Sequence, residues 1–119
     1  MEFMLIFNSP VQDLEREKND PASASYWESW RAYMNAIYGA GIVKSGNALK
    51  APYTASTVRI RDGKRQVQDG PYADTKELLG GYLVINVASL DEALQWAERS
   101  PSSISGSTEV RPILSMSEN

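Results

Sequence analysis

The clearest strand of the sequence runs from Tyr82 to Val87 and is largely apolar on both of its faces. Its two alternating sets of side chains are Leu83, Ile85 and Val87 on one face and Tyr82, Val84 and Asn86 on the other. Because successive side chains of a strand point to opposite sides of a sheet, both of these faces need a cover. This requirement constrains the fold more than any other feature of the chain.

Two helices are predicted by capping boxes, in which a Ser is followed three residues later by a Glu. The boxes occupy residues 25–28 and 89–92, and the helices that they open end near Tyr38 and Ser100. The predicted buried positions are Tyr26, Trp30, Tyr33, Met34 and Ile37 in the first helix and Leu90, Ala93, Leu94 and Ala97 in the second. The aromatic stripe is typical of a helix packed on a sheet, with a ligand pocket as the alternative. Trp27 and Tyr38 lie outside that stripe and are candidates for the rim of a pocket or a subunit interface.

Further strands are predicted on either side of these helices. Phe3 to Phe7 is continuous, aromatic and apolar, as buried strands are. Shorter extended runs are expected over residues 42–49, 54–60 and 107–114, and Asp62-Gly63 indicates a hairpin turn leading to residues 66–68. Residues 11–24 are polar and acidic, and we expect a mobile surface loop that could close as a lid.

The element order is therefore strand, helix, several strands, helix, strand. It predicts an α+β fold of ferredoxin-like type, with two helices on one face of an antiparallel sheet and an additional hairpin. A chain of 119 residues fits a single domain over residues 1–119. Two helices cover one face only. The other face carries Tyr82, Val84 and either Met4 and Ile6 or their neighbours, and these side chains would be exposed to solvent unless another element packs on them. We expect a second subunit there, in a sheet-to-sheet homodimer.

Composition excludes several classes of partner. The net charge is −3 and the isoelectric point is near 4.9, which argues against binding to nucleic acid or to anionic membranes. The one basic cluster, Arg59, Arg61, Lys64 and Arg65, surrounds the predicted turn and is expected to be a solvated hairpin. The apolar start of the chain is short and lacks a basic flank, so we expect a strand and not a signal peptide. No run approaches membrane-spanning length.

The chain has no histidine and no cysteine. It therefore lacks the commonest general base, a thiolate nucleophile and the usual zinc ligands. Its glycines do not have the spacing of a dinucleotide or phosphate loop, and its carboxylates do not have that of a calcium loop, so no cofactor or metal is expected. The absence of cysteine fits a reducing, cytoplasmic location.

The chemistry that remains concentrates in residues 69–82, between two predicted strands. Gly70-Pro71 forces a turn directly after Asp69, and a carboxylate at a strand end is easily aimed into a cleft. The alternative is that Asp69 accepts hydrogen bonds from its own turn. Gly80-Gly81 could admit either a neighbouring strand or a ligand. The candidate catalytic residues are Asp69 and Tyr72, and the candidate ligand-binding residues are Lys76, Tyr82, Glu109 and Arg111.

The runs Asp69-Gly70-Pro71-Tyr72, Asp74-Thr75-Lys76-Glu77 and Gly80-Gly81-Tyr82 resemble the DGPF-domain proteins of the YCII-related family. The resemblance extends from residues 3–6 to residues 109–112, with Tyr72 and Asp74 replacing Phe and Glu. It implies a dimeric α/β-barrel type of fold with clefts beside the sheets. Some relatives pair a His with an Asp, and one branch resembles lyases acting on ring-cleavage products. This chain has no His, so the resemblance leaves at most a pair of Asp69 and Tyr72.

Two functional hypotheses follow. The first is a non-catalytic dimer that binds a small molecule or a protein partner. The resemblance implies a regulatory role for it, because DGPF proteins are often encoded beside extracytoplasmic-function sigma factors. That resemblance implies a functional link with a sigma factor. The alternative is a cofactor-independent lyase or isomerase, in which Asp69 moves a proton on a small anionic substrate held by Arg111 or Lys76. The missing His, Cys and cofactor motifs favour the first.

Overall fold

The computed structural model describes residues 1–72 and 75–116 of the chain. Its strands are β1 (Glu2–Pro10), β2 (Val43–Ala48), β3 (Ser56–Arg61), β4 (Lys64–Asp69), β5 (Glu77–Asn86) and β6 (Ser107–Pro112). Its α-helices are α1 (Val11–Leu14), α2 (Ala24–Gly39), α3 (Leu90–Glu98) and α4 (Ser102–Ser105). Short 3-10 turns span Pro21–Ser23 and Pro52–Thr54.

Four strands form an antiparallel sheet in the order β2, β5, β1, β6. The connections β1-α2-β2 and β5-α3-β6 repeat one strand-helix-strand unit, and with this strand order they give the ferredoxin-like arrangement. β3 and β4 pair with each other in a separate ribbon that is inserted between β2 and β5. The predicted α+β class, the antiparallel sheet and the additional hairpin are therefore confirmed.

The core lies between this sheet and the helices α2 and α3. Its buried apolar side chains are Phe3, Leu5, Phe7, Tyr33, Ile37, Leu83, Ile85, Val87, Ala93 and Ala97. The Phe7 ring packs edge-on against Trp30 and Tyr33, with ring centroids 5.2 Å and 6.0 Å apart. The stripe of α2 thus serves mainly as core, which is the first of the two interpretations.

The two capping boxes have different outcomes. Ser89 caps α3 as predicted, because its Oγ accepts the Glu92 N–H at 3.2 Å and Glu92 Oε2 accepts the Ala88 N–H at 3.3 Å. The box predicted over residues 25–28 is wrong, since α2 begins two residues earlier and its N-cap is Ser23. The Ser23 hydroxyl does not cap the helix but accepts a hydrogen bond from Arg16, so a tertiary contact displaced the local one.

The prediction for the apolar face of α3 is also partly wrong. Ala93 and Ala97 are buried, but Leu90 and Leu94 are each 47% exposed. The two alanines bring the helix close to the sheet, and the longer leucines then lie at the margin of the contact. The Ser-rich segment after this helix contains α4, and Ser100 and Ser102 are buried there.

The face of the four-stranded sheet that points away from the helices carries Met4, Ile6, Tyr82 and Val84, all half-buried. We call these four residues the open sheet face. They lie opposite one another in register, with Met4 beside Val84 and Ile6 beside Tyr82. The structure therefore leaves uncovered the apolar face for which the sequence predicted a second subunit.

The β3–β4 hairpin turns at Asp62 and Gly63, both of which have positive φ (53° and 73°), as its turn signal predicted. Gly80 and Gly81 are explained by close packing within the chain. A Cβ on Gly80 would overlap the Leu14 side chain, and one on Gly81 would lie 2.9 Å from the Asn47 carbonyl oxygen. Within the described ranges, no helix has the length and apolar character required to cross a bilayer.

Candidate functional site

The structure places Asp69 at the end of β4, where it pairs in register with Ser56 and is exposed. The turn that follows is held by Gly70, whose N–H donates to the Ala55 carbonyl at 2.7 Å and whose carbonyl accepts from Thr57 Oγ1 at 2.9 Å. Within residues 1–72 and 75–116, the Asp69 carboxylate has no hydrogen bond or ion pair. Among the described residues, the turn at Gly70 therefore does not saturate the Asp69 carboxylate.

Tyr72 is 76% exposed, and its ring lies 5.2 Å from the Arg59 guanidinium. It lines a shallow, mainly apolar groove of about 480 Å³ together with Pro71, Leu78 and Leu79. Lys76 is exposed. Residues 73 and 74, the second of which is the family variant noted in the sequence, lie outside the described part of the chain.

Tyr82 belongs to the open sheet face, and Glu109 and Arg111 lie on the same side of the four-stranded sheet. The Tyr82 hydroxyl accepts a hydrogen bond from Asn47 Nδ2 at 3.0 Å, and Glu109 and Arg111 form an ion pair. In register, Ile6 separates Tyr82 from Glu109, so their strands are about 10 Å apart. The six predicted site residues thus divide between the hairpin end (Asp69, Tyr72, Lys76) and this face (Tyr82, Glu109, Arg111).

A larger groove, of about 590 Å³, lies on the opposite side of the sheet, among the helices. We call it the helix-side groove. It is lined by Asp13, Arg16, Tyr26, Ser29, Ala32, Tyr33, Ala36, Arg99, Pro101, Ile104 and Ser105. None of the six predicted site residues belongs to it, and it gathers charged and phenolic side chains from α1, α2 and the α3–α4 corner.

The charged end of the groove is a network centred on Arg16. Arg16 Nε donates to Asp13 Oδ1 at 2.8 Å, and its Nη1 donates to Ser23 Oγ at 2.8 Å. Asp13 is 7% exposed and Ser23 2% exposed, so both partners are buried. Such charge-assisted hydrogen bonds are strong when they are shielded from water.

This network corrects the prediction of a mobile loop over residues 11–24. The segment contains α1 and a 3-10 turn, and Trp27 Nε1 donates to the Glu17 carbonyl at 3.2 Å. Leu14 packs on Gly80 of β5. Three of its polar side chains, Asp13, Arg16 and Ser23, bond one another, and the first two line the groove.

Two phenols line the groove beside the charges. The Arg16 guanidinium lies 5.0 Å from the centre of the Tyr26 ring. Burial raises the pKa of the Tyr26 phenol above its ordinary value of 10.0. The hydrogen bond with Trp30 opposes this rise, and the charges of Asp13 and Arg16 raise and lower the pKa by smaller amounts. Burial also raises the pKa of Tyr33, whose hydroxyl donates to the Trp96 carbonyl at 2.9 Å. Both phenols therefore stay protonated at neutral pH.

Arg99 is a second cation that lines the groove. Its guanidinium lies 4.3 Å from the centre of the Trp96 ring, and its charge lowers the pKa of Tyr33 against the larger effect of burial. In the described part of the chain, no carboxylate lies within ion-pair distance of Arg99. With Asp13 and Arg16 neutralising each other, the groove keeps a net charge of +1.

The arrangement suits the binding of an anion that carries a ring or a short apolar body. Cations, protonated phenols and the small side chains Ala32 and Ala36 provide charge, hydrogen-bonding groups and apolar contact. Among the described residues, no group of three or more acidic side chains is placed to hold a metal ion. The sequence had one signal for this site, the spacing of Asp13 and Arg16 directly after a strand, which would have suggested a helical turn.

A family model of the YCII-related domain matches residues 1–117 of the chain. The chain belongs to the YCII-related family. An uncharacterized protein of Rhizobium meliloti (strain 1021) is 49% identical to this YCII-related chain over 63 residues. The match covers 50% of this chain and 49% of the relative, so the chain spans about half the length of that relative.

Among solved structures, the YCII-related chain is similar to 5-chloro-2-hydroxyhydroquinone dehydrochlorinase from Burkholderia phenoliruptrix AC1100, in complex with 2,5-dihydroxybenzoquinone. The TM-score is 0.55 at 16% identity, and the match covers 100% of this chain and 99% of the other. A likeness at this identity concerns the fold, and the neighbour's fold is of the dimeric α/β-barrel type. The predicted fold class is thereby confirmed.

Proposed function

We propose that this YCII-related chain binds a small anionic ring compound in the helix-side groove. The observation that carries the proposal is Arg99, a cation without a carboxylate partner in the described residues, placed beside protonated phenols in a groove of about 590 Å³. An anion at this position would gain a charge-assisted hydrogen bond, worth about 1.5–3 kcal/mol when shielded from water.

The solved neighbour supports the choice of ligand class. Its bound molecule, 2,5-dihydroxybenzoquinone, is a small planar ring whose acidic hydroxyl groups ionise at neutral pH. The probes for this chain are therefore that compound and a hydroxybenzoate, which share a flat ring and a delocalised negative charge. Aromatic side chains such as Tyr26 offer ring faces and edges for such a body.

The test is calorimetric titration of the chain with each probe. Arg99→Gln should weaken binding by about 10- to 100-fold, because it removes one charge-assisted hydrogen bond. Arg111→Gln is the matched control, since it makes the same change on the other side of the sheet and should leave affinity within about twofold. The opposite result, loss with Arg111→Gln and retention with Arg99→Gln, would place the ligand at the residues that the sequence singled out.

An enzyme acting on the same compound class is the second candidate, and the name of the solved neighbour, a dehydrochlorinase, supports it. In this version Asp69 acts as general acid or base in a lyase or isomerase reaction without a cofactor, on a substrate that Arg111 or Lys76 holds outside the helix-side groove. The assay follows the ring's ultraviolet absorbance on incubation with the wild type and with Asp69→Asn. Loss of turnover with retained binding supports this role, and equal turnover of the two proteins contradicts it.

We further propose that two copies associate through the open sheet face. Its four half-buried apolar residues lie on a face that no helix of the described chain covers. Val84→Asp would place a carboxylate in the centre of this contact and should shift the sedimenting species from dimer to monomer. Asn86→Asp, at the end of the same strand, is the control. A wild type that sediments as a monomer at about 100 µM contradicts the proposal.

A further inference from the structure

The β3–β4 hairpin stands apart from the rest of the fold. Its strands belong to a sheet of their own, and every residue of β4 is exposed. A hairpin of two strands is marginally stable in water unless one of its faces packs on something. The radius of gyration, 16.2 Å, exceeds the roughly 13.5 Å expected for a compact chain of this length, as a projecting hairpin would cause.

The two faces of the hairpin differ in character. One face carries the cross-strand pairs Thr57–Gln68, Arg59–Gln66 and Arg61–Lys64, and the other carries Ser56–Asp69, Val58–Val67 and Ile60–Arg65. We call the second set the apolar stripe face. Its Val58, Ile60 and Val67 are 57%, 62% and 53% exposed. The polar face is partly covered, since Arg59 lies over the Tyr72 ring, so the more apolar face is the more exposed one.

The charges on the apolar stripe face are arranged symmetrically about its centre. On β4, Arg65 lies two residues before Val67 and Asp69 lies two residues after it. The two charges are about 13 Å apart along the strand, too far to pair within one hairpin. Around a twofold axis through the Val58–Val67 pair, however, each Arg65 would lie opposite Asp69 of the partner subunit. The face is therefore complementary to itself, which an interface between two identical copies requires.

We propose that two copies of the chain pair through this face, with the hairpins antiparallel and the valines at the centre. Two ion pairs would flank the apolar contact, one at each end. The contact is distinct from the open sheet face and from the helix-side groove, and it does not depend on the ligand. It also gives Asp69 a role at an interface between subunits.

Charge reversal in trans tests the pairing. Arg65→Asp brings carboxylates together at both ends of the contact, and Asp69→Arg brings cations together there. Each variant alone should self-associate roughly tenfold more weakly than the wild type, as sedimentation equilibrium would measure. An equimolar mixture of the two variants restores opposite charges at both ends, so the mixed pair should associate as tightly as the wild type. Lys64→Asp, on the polar face, is the matched control and should change association by less than twofold.

A covalent test uses the absence of native cysteine. Val67→Cys places a thiol at the proposed axis, and because face-packed ribbons lie about 10 Å apart, a short bis-maleimide should link it to its copy in the partner subunit. Gln66→Cys places it on the opposite face of the ribbon and should stay largely monomeric on a denaturing gel. The proposal is overturned if the two cysteine variants crosslink equally, or if mixing the charge variants restores nothing. If Val84→Asp disrupts the dimer and both charge variants leave it intact, the result supports the contact through the open sheet face and contradicts the contact through the hairpin.

Discussion

The helix-side groove and the β3–β4 hairpin with its adjoining turn are both rich in polar side chains, and they are built in opposite ways. In the groove, the charges of Asp13 and Arg16 are paired, shielded and attached to the core elements β1 and α2. In the hairpin, charged side chains such as Arg65 and Asp69 are exposed on a ribbon that has no core beneath it.

The difference teaches that turn formers and charges in a sequence mark exposed corners more readily than binding sites. Residues 69–72 attract notice because Gly and Pro punctuate the chain there. The groove has no such signature, because its members come from three separate segments that contain ordinary helix residues. A partly buried ion pair beside a cation that has no carboxylate partner within the described residues becomes visible only after the segments are brought together.

The largest expected contrast concerns the core beneath the two regions. Ile37→Ala, at a fully buried position of α2, should lower the free energy of unfolding by about 3 kcal/mol, through lost apolar burial and a cavity. Val67→Ala in the hairpin should change it by less than about 0.5 kcal/mol in the monomer. Denaturant unfolding at one low protein concentration measures both, and equal losses would mean that the hairpin belongs to the cooperative core.

The next contrast compares one carboxylate from each region. Asp13→Ala should destabilise the fold by about 2 kcal/mol, because it leaves the Arg16 guanidinium without its partner in a partly buried setting. Asp69→Ala should be neutral within about 0.5 kcal/mol, since its carboxylate is exposed. The same unfolding experiment measures the free energy of unfolding of both variants. An unchanged value for Asp13→Ala would show that the groove network is no stronger than a surface ion pair.

A pH dependence separates the buried phenol of the groove from exposed ones. The folded pKa of Tyr33 is raised above the ordinary value of 10.0, so its contribution is fully present below pH 10 and is lost as the pH rises further. Between pH 10 and 11 the wild type should lose about 1 kcal/mol more stability than Tyr33→Phe, which has no proton to release. Tyr72→Phe is the control, and a pH slope unchanged by Tyr33→Phe would contradict the assigned burial.

The smallest expected effect lies within the hairpin itself. Arg59→Ala removes the cation above the exposed Tyr72 ring and should cost about 0.5 kcal/mol or less. Gln66→Ala, which also replaces a side chain of the polar face, provides the baseline for lost packing. A loss above about 1.5 kcal/mol for Arg59→Ala would mean that the hairpin base is more tightly built than its exposure indicates.

Most of the fold could be predicted from the sequence because its signals are local. The alternation of β5, the Asp62-Gly63 turn and the capping box at Ser89 each depend on neighbours in the chain, and each is observed. Predictions failed where a distant group competed with a near one. Ser23 accepts a hydrogen bond from Arg16, and α2 begins before the capping box that was predicted over residues 25–28. The alanines of α3 bring that helix so close to the sheet that Leu90 and Leu94 lie at the margin of the contact.

The helix-side groove was not predicted from the sequence, and the site residues that the sequence singled out remain a prediction. The six residues chosen from the sequence include pairs that are true neighbours, such as Glu109 and Arg111, because strand alternation alone places them on one face. The groove residues were missed, since Asp13 looked like part of a loop and Tyr33 like part of a core stripe. Neither the loop assignment of Asp13 nor the core assignment of Tyr33 tells which side chains from other segments lie next to these residues.

Periodicity, caps and turns, each a property of a few consecutive residues, were enough to determine the class of the fold, the order of its elements and the uncovered face of its sheet. Tertiary structure alone decided which polar groups are buried and which charges are neutralised. The physical reason is that burial and charge pairing depend on distances between segments remote in sequence. Arg99 faces the phenol of Tyr33 because two helices pack on the same sheet, and no local pattern encodes that distance.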